Sequence, residues 1–266
     1  MTMTDNGAAA RRAVLISGAG TGVGAATAIL LAGKGWNVAV NYRRSRTEAE
    51  AVVAACEAKG ATAIAIQGDV AADGDCRALV GESVRQFGRL DALVCSAGTT
   101  IFVPLHELDG IEAEDFARVF QVNAVGPFQL ARAAAPHLRP SGSGAIVNVS
   151  SIAGQTGSGS SVAYVASKAA LNAITLSLAR ALAPEIRVNA VLPGMIEGRW
   201  LSDGLGEETY QRVRAEWAKG AALGRVATAD DIAAIIAFLI DDANVMTGQL
   251  VTADCGVQLG RPVRVT

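Results

Sequence analysis

The sequence predicts an α/β protein: a doubly wound parallel sheet of about seven strands, with helices on both faces, in a single domain. Three observations lead there. Short apolar runs of strand length alternate with helical patterns from Ala13 to Ala253. Four closely spaced glycines, Gly18, Gly20, Gly22 and Gly24, follow the first apolar run and open a helical pattern. No shift in composition and no internal repeat divides the 266 residues.

Each element follows from its local pattern. Residues 1–10 are small and polar and read as a flexible lead-in to a domain over 11–260, with 261–266 as a tail. Ala13 to Ser17 is a buried strand, and a helix runs from the glycines to about Lys34. Val38 to Tyr42 is a strand, Thr47 to Lys59 a helix, Thr62 to Gln67 a strand, Asp73 to Phe87 a helix and Ala92 to Cys95 a strand. A long helix covers Ala113 to Leu138, with Pro127 and Pro136 as bends or breaks. Ala145 to Val149 is a strand, Val162 to Leu182 a helix and Val188 to Leu192 a strand. Gly194 to Gly206 lacks a helical period and reads as a loop, within a substrate segment over residues 194–223. Glu207 to Lys219 and Asp230 to Ile240 are helices, and Leu250 to Ala253 the last strand.

Composition excludes several classes. Half the residues are apolar, enough for a large core, and the formal net charge is −2. There is no basic stripe for nucleic acid. Cys56, Cys76, Cys95 and Cys255 form no C-x-x-C pair, and with His106 and His137 as the two histidines no metal-ligand cluster is visible. The pattern reads as free thiols in a reducing cytoplasm. Ala233 to Ile240 is too short to span a bilayer, so no membrane span and no signal peptide are expected. No G-x-S-x-G elbow and no Gly-Lys-Ser/Thr phosphate loop is present.

Chemistry concentrates between Ser150 and Lys168. Charge is absent there until Lys168, so Tyr164 and Lys168 stand out, four apart and on one face of a helix. An ammonium beside a phenol favours phenolate and is expected to pull the tyrosine pKa below its usual value of about 10. Ser151 ends the apolar run Ala145 to Val149, at the sheet edge where open α/β sheets bind ligands. Tyr-x-x-x-Lys alone is a chance pattern; its context gives it weight. The glycines match G-x-x-x-G-x-G through Gly18, Gly22 and Gly24, with Val23 where the commoner dinucleotide fingerprint has its third glycine.

From Ala13 to about Gly260 the chain resembles the short-chain dehydrogenases/reductases. Ser17-Gly18-x-x-x-Gly22-Val23-Gly24 is similar to that family's Thr-Gly-x-x-x-Gly-Ile-Gly loop. Asp69-Val70 resembles its adenine-contacting pair, and Asn123 its helix asparagine. Ser151, Tyr164 and Lys168 resemble its serine and Tyr-x-x-x-Lys. Asn189-Ala190, Pro193-Gly194 and Thr247-Gly248-Gln249 complete the set. The resemblance implies a Rossmann-like fold and a nicotinamide cofactor that exchanges hydride with a carbonyl or secondary alcohol. It implies that Tyr164 is the acid/base, that Lys168 lowers its pKa and holds the nicotinamide ribose, that Ser151 binds the substrate oxygen, and that Asn123 anchors a relay water. It implies cofactor contacts at Gly18, Gly20, Thr21, Gly22, Val23, Asp69, Val70, Ala97, Gly98, Pro193, Gly194 and Ile196. Each catalytic role has a structural alternative: Asn123 as a helix-kink satisfier, Ser151 as a strand-end cap, Asp69 as a turn former.

Three departures stand out. Cys95-Ser96-Ala97-Gly98 replaces Asn-Asn-Ala-Gly, Gly198 replaces a nicotinamide-contacting threonine, and Asp254-Cys255-Gly256 replaces Asp-Gly-Gly. With the threonine gone, backbone near Ile196 is expected to carry that contact. Competing functions are a 3-oxoacyl-thioester reductase of fatty-acid or polyketide type, a cofactor-independent lyase like the halohydrin dehalogenases, and an inactive dinucleotide sensor. The lyases carry arginine at the lysine position and lack the glycine loop, and the intact Asn, Ser, Tyr and Lys argue against a sensor.

The cofactor is expected to be NADP(H) rather than NAD(H). Arg43 and Arg44 follow the second strand, and no acid appears until Glu48 to bind ribose hydroxyls or repel a 2′-phosphate. Surplus apolar surface on the helices Ala113 to Leu138 and Val162 to Leu182 predicts a homotetramer. Trp200 is expected on a mobile lid formed by Gly194 to Gly206, and Trp200 and Trp217 are candidate substrate contacts.

Overall fold

A computed structural model of the chain describes residues 11–260. The expected lead-in over 1–10 and tail over 261–266 lie outside the described residues. The elements in order are β1 (Ala13–Ser17), α1 (Gly22–Gly33), β2 (Asn37–Tyr42), α2 (Arg46–Glu57), β3 (Ala63–Gln67), α3 (Asp73–Phe87), β4 (Ala92–Cys95), α4 (Ala113–Phe120), α5 (Gly126–Leu138), β5 (Gly144–Val149), α6 (Ala153–Thr156), α7 (Val162–Leu182), β6 (Ile186–Pro193), α8 (Arg199–Leu205), α9 (Glu207–Gly220), α10 (Ala229–Asp241) and β7 (Leu250–Ala253). The seven strands form one parallel sheet in the order β3-β2-β1-β4-β5-β6-β7.

The sheet is covered on both faces, as continuous apolar strands require. Alternate residues of β1 point to opposite sides. Val14 and Ile16 join one core with Leu31 of α1 and Ile232 and Ile236 of α10. Leu15 joins the other with Leu79 of α3, Leu130 and Leu138 of α5, and Leu178 of α7. The α10 helix is fixed at its start by a capping box between Thr228 and Asp231.

Chain order reverses at β1, which has β2 on one side and β4 on the other. Ser17 and Cys95 therefore lie side by side at the C-terminal ends of two strands whose helices leave to opposite faces. That divergence opens a crevice, and ligands of open α/β sheets bind in such a crevice.

Two expectations are corrected. The helix from Ala113 to Leu138 is interrupted by neither proline. The interruption is a π-helical turn over Gln121–Val125, which ends two residues before Pro127 in the first turn of α5. Residues 194–206 are not all loop, because α8 folds within them. Glycines at both ends hid it: Gly198 has φ 152° and Gly206 φ 77°.

By length and composition α7 could cross a membrane. Here it packs on the sheet and buries Ser167, Lys168, Asn172 and Thr175.

Candidate active site

The glycine loop is built at the exit of β1. Gly18 has φ 64°, and a Cβ there would lie 2.6 Å from the Cα of Ala97, so the β1 and β4 exits touch backbone to backbone. Gly22 has φ 56° and opens α1, with open space where its Cβ would stand. Gly24 packs under the loop; a Cβ there would lie 2.5 Å from the Gly18 carbonyl oxygen. A Cβ on Gly20 would meet Ser45 Oγ at 2.7 Å, which places the loop tip against the start of α2. Thr21 precedes α1 without a side-chain cap, and no acid stands in the first turn. The uncapped amides and the helix dipole suit a phosphate group. Val23 is half-buried against the core, and its carbonyl accepts from Thr27 Oγ1 at 2.7 Å, so its side chain serves packing.

Two residues outside the expected set hold this cradle. Ser17 Oγ accepts from the Ser96 N–H at 3.1 Å and the Ala97 N–H at 3.2 Å, tying β1 to β4. Asn41, buried, accepts the Gly18 N–H at 3.2 Å and donates to the Gly68 carbonyl at 3.0 Å. A buried asparagine ending a strand beside a glycine loop was the available signal.

Beyond β2 and β3, Arg43, Gln67, Gly68, Asp69 and Asp75 line a hollow of about 340 Å³. Arg43 is not free there: its guanidinium pairs with Asp69 at 3.3 Å. Asp69 also accepts the Ala71 N–H at 3.0 Å, so its turn-forming role is real. Arg44 is exposed, and Val70 is buried against Gly126.

Tyr164 and Lys168 stand on α7, which starts with Ser161 Oγ accepting the Tyr164 N–H at 3.2 Å. Lys168 is buried, donates to the Val149 carbonyl at 2.9 Å, and holds its Nζ 5.7 Å from the Tyr164 ring centroid. Ser151 follows the end of β5, stands close enough to the phenol to lower its pKa, and accepts the Ala153 N–H at 3.1 Å through Oγ. Asn123, in the π turn, is fully buried: Oδ1 accepts the Thr99 N–H at 2.8 Å, and Nδ2 donates to the Thr99 carbonyl at 2.8 Å and to Ser167 Oγ at 3.0 Å. It fixes the segment after Gly98. A Cβ on Gly98 would stand 3.6 Å from Asn123 Oδ1 and 3.9 Å from Lys168 Nζ, so this glycine floors the same recess.

The electrostatics differ from expectation. Burial pushes the Tyr164 phenol up to about 12, with the Ser151 hydrogen bond working the other way. Burial brings the Lys168 ammonium down to about 8. Desolvation outweighs attraction, because the ammonium points past the phenol to the Val149 carbonyl rather than onto its oxygen.

Behind the recess Pro193 pairs with Ala253, and the Gly194 N–H donates to the Ala253 carbonyl at 3.2 Å. Ile196 forms a parallel bridge with Ala227 made by the Met195 carbonyl and the Glu197 N–H, which turns the N–H and C=O of Ile196 to the opposite edge. Trp200, on α8, meets Tyr164 edge-on with centroids 6.2 Å apart. Trp217 instead packs with Met195 and Ile152.

Among the described residues no group of three His, Cys, Asp or Glu side chains converges on a metal site, and all four cysteines are free. The structure thus brings Asn123, Ser151, Tyr164, Lys168, Gly98 and Trp200 into one recess, continuous with the glycine loop through Ala97 and Gly18.

This fold with this recess defines a dinucleotide-binding oxidoreductase class, and comparison with known proteins gives the family. The family model described as Enoyl-(Acyl carrier protein) reductase matches residues 18–258. An uncharacterized oxidoreductase of Methylorubrum extorquens is 41% identical over 251 residues, 93% of this chain and 98% of that one. A 3-oxoacyl-[acyl-carrier-protein] reductase of Staphylococcus aureus is 38% identical over 250 residues, 93% of this chain and 98% of that one. The crystal structure of a short-chain dehydrogenase/reductase from Burkholderia xenovorans superposes with a TM-score of 0.87 at 42% identity, covering 94% of this chain and 99% of that one. The chain belongs to the short-chain dehydrogenase/reductase family; it is an oxidoreductase that uses a nicotinamide dinucleotide.

Proposed function

We propose that this protein reduces a small or medium carbonyl compound, or oxidises the corresponding secondary alcohol, with NADP(H). One observation carries the reading: Ser151, Tyr164 and Lys168 share a recess directly beside the glycine cradle at the sheet's switch point. The residues fit a dinucleotide, with an uncapped helix N-terminus at Gly22 for the diphosphate and a polar hollow past β3 for the adenosine. When bound, the cofactor supplies or accepts the hydride.

The chain's own groups manage the proton and the developing charge. Ser151 donates a hydrogen bond to the substrate oxygen, strongest as that oxygen becomes anionic. Tyr164 delivers the proton in reduction, or removes it in oxidation. A phenol held near 12 starts protonated, as a donor must. Lys168 supplies a positive charge and ribose hydrogen bonds, and Asn123 holds the backbone at Thr99 that shapes the water path. Trp200 covers the recess from α8.

Preference for NADP(H) is supported by Arg43 and Arg44 directly after β2, a strand whose end carries no acidic residue of its own. Arg43 exchanges its partner Asp69 for the phosphate, while Arg44 needs no such release. Two exposed apolar faces, Phe128 with Leu176 and Phe238 with Val245, support a homotetramer. The setting is the cytoplasm, in keeping with four unpaired cysteines.

A second reading is a 3-oxoacyl-thioester reductase, favoured by the 38% identity to the staphylococcal acyl-carrier-protein enzyme. The deciding experiment is a panel of ketones and 3-oxoacyl thioesters with NADPH and NADH, run on the wild type and on Tyr164→Phe. Ketone-dependent NADPH consumption that disappears in the variant supports the reading. Turnover confined to thioesters favours the second, and none with any carbonyl refutes both.

A further inference from the structure

We infer that Arg199 is a ligand of the cofactor's diphosphate, reaching it from the helix that covers the recess. The inference rests on the dinucleotide reading above and adds a residue to it. Three contacts fix where α8 lies. Trp200 stands edge-on to Tyr164 and holds its ring 3.7 Å from the position a Cβ of Gly98 would take. Gly204 has no room for a methyl against the Phe102 ring. The Arg199 guanidinium lies 3.9 Å from Glu48 Oε1, in the first turn of α2.

The third contact gives direction. Trp200 points down at the floor of the recess, while its neighbour Arg199 points across the cleft to the far side. The start of α2 abuts the glycine loop, since a Cβ on Gly20 would clash with Ser45 Oγ at 2.7 Å and touch the Ala49 backbone at 3.6 Å. A helix that sets Trp200 beside Gly98 and reaches Glu48 through Arg199 therefore spans the glycine loop, where a phosphate would lie at the N-terminus of α1.

The existing partner does not hold it tightly. The pair is long, and the two side chains remain 68% and 43% exposed. Exposed pairs of this kind contribute little, whereas a guanidinium on a phosphate makes short, charge-assisted, bidentate bonds. Gly198, immediately before Arg199, has a φ of 152° that is open to glycine. Arg199 and Trp200 together let one short helix close on both halves of the site.

The test is equilibrium binding, followed by NADPH fluorescence and calorimetry, on wild type, Arg199→Ala, Arg199→Lys and Glu48→Gln. Arg199→Ala is expected to weaken NADPH and NADH alike, by about ten- to a hundredfold. It is expected to weaken ADP-ribose by a similar factor and to leave adenosine 2′-monophosphate unchanged, since that probe lacks the diphosphate. Arg199→Lys recovers part of the loss. Glu48→Gln holds or tightens NADPH binding, because it frees the arginine and removes a nearby negative charge. If Glu48→Gln weakens binding as Arg199→Ala does, Arg199 is a latch to α2 and the assignment falls. A loss for NADPH but not NADH moves Arg199 to the 2′-phosphate and also overturns it. If Arg199→Ala binds as wild type does, the assignment alone is wrong. If the wild type binds neither dinucleotide, the cofactor reading falls first.

Discussion

Replacing Lys168 by methionine is expected to stabilise the protein near neutral pH while removing its activity. The ammonium is buried, with its pKa down from 10.5 to about 8, a difference that corresponds to roughly 3 kcal/mol of unfavourable charge burial at about pH 7. The sign follows from proton binding. The folded value is the lower one, so between about 8 and 10.5 the unfolded chain holds the extra proton, and wild-type stability rises with pH across that window. Methionine keeps the length of the stem and removes the charge. It also leaves the Val149 carbonyl without the donor that stands 2.9 Å away, which costs about 1–2 kcal/mol. The net gain at about pH 7 is therefore about 1–2 kcal/mol, falling to zero or below near pH 10. Urea unfolding of both proteins at one protein concentration, across that range, measures it. The comparison stops near pH 10 because the raised Tyr164 value, about 12, makes stability fall as pH rises above its ordinary value of 10 in both proteins. A Lys168→Met effect that is equal at neutral and alkaline pH would refute the buried-charge argument.

Other outcomes follow from the same geometry. Tyr164→Phe is expected to lower kcat by about 10²- to 10⁴-fold while NADPH still binds; retention of a tenth of the activity removes the acid/base role. Arg43→Asp is expected to reverse the cofactor preference, and Arg44→Ala to reduce it, by roughly ten- to a hundredfold in kcat/KM ratios; equal values for both cofactors in the wild type would mean the β2 end was misread. Gly18→Ala combines a left-handed φ of 64° with a backbone 2.6 Å from the new methyl, so a loss of about 2 kcal/mol or more is expected in unfolding measurements. Light scattering at micromolar concentration is expected to return a tetramer mass; a monomer would contradict the reading of the two apolar faces.

Much of the fold was legible because its signals are local. The apolar runs of β1, β2, β4 and β5 are short and bounded, and the glycines fall where the first strand meets the first helix. Element ends moved by a residue or two, since hydrogen bonding rather than apolarity sets them. The π turn at Gln121–Val125 was not legible: a prolyl ring in the sequence announces a bend, but one extra residue in a helical turn leaves no compositional mark. Helix α8 was missed for a related reason. It is seven residues long, bracketed by glycines, and carries Gly204 inside, so its pattern resembles a loop until Phe102 packs against it.

By itself the sequence determined the sheet class, the glycine loop and the identity and spacing of Ser151, Tyr164 and Lys168, because those depend on residue type and on periods of two and 3.6 along one chain. Tertiary structure alone decided what those residues face. It buried the Tyr164 phenol, and that desolvation reversed the expected direction of the tyrosine pKa, while Lys168 came to rest against the Val149 carbonyl. It joined Arg43 to Asp69 across 26 positions, and bound Ser17 to Ser96 and Ala97 across about 80. It also carried Arg199 over to Glu48 from a helix more than half the chain away. Desolvation and pairing depend on distances through space, and a linear order of residues does not contain them until the sheet brings its strand ends together.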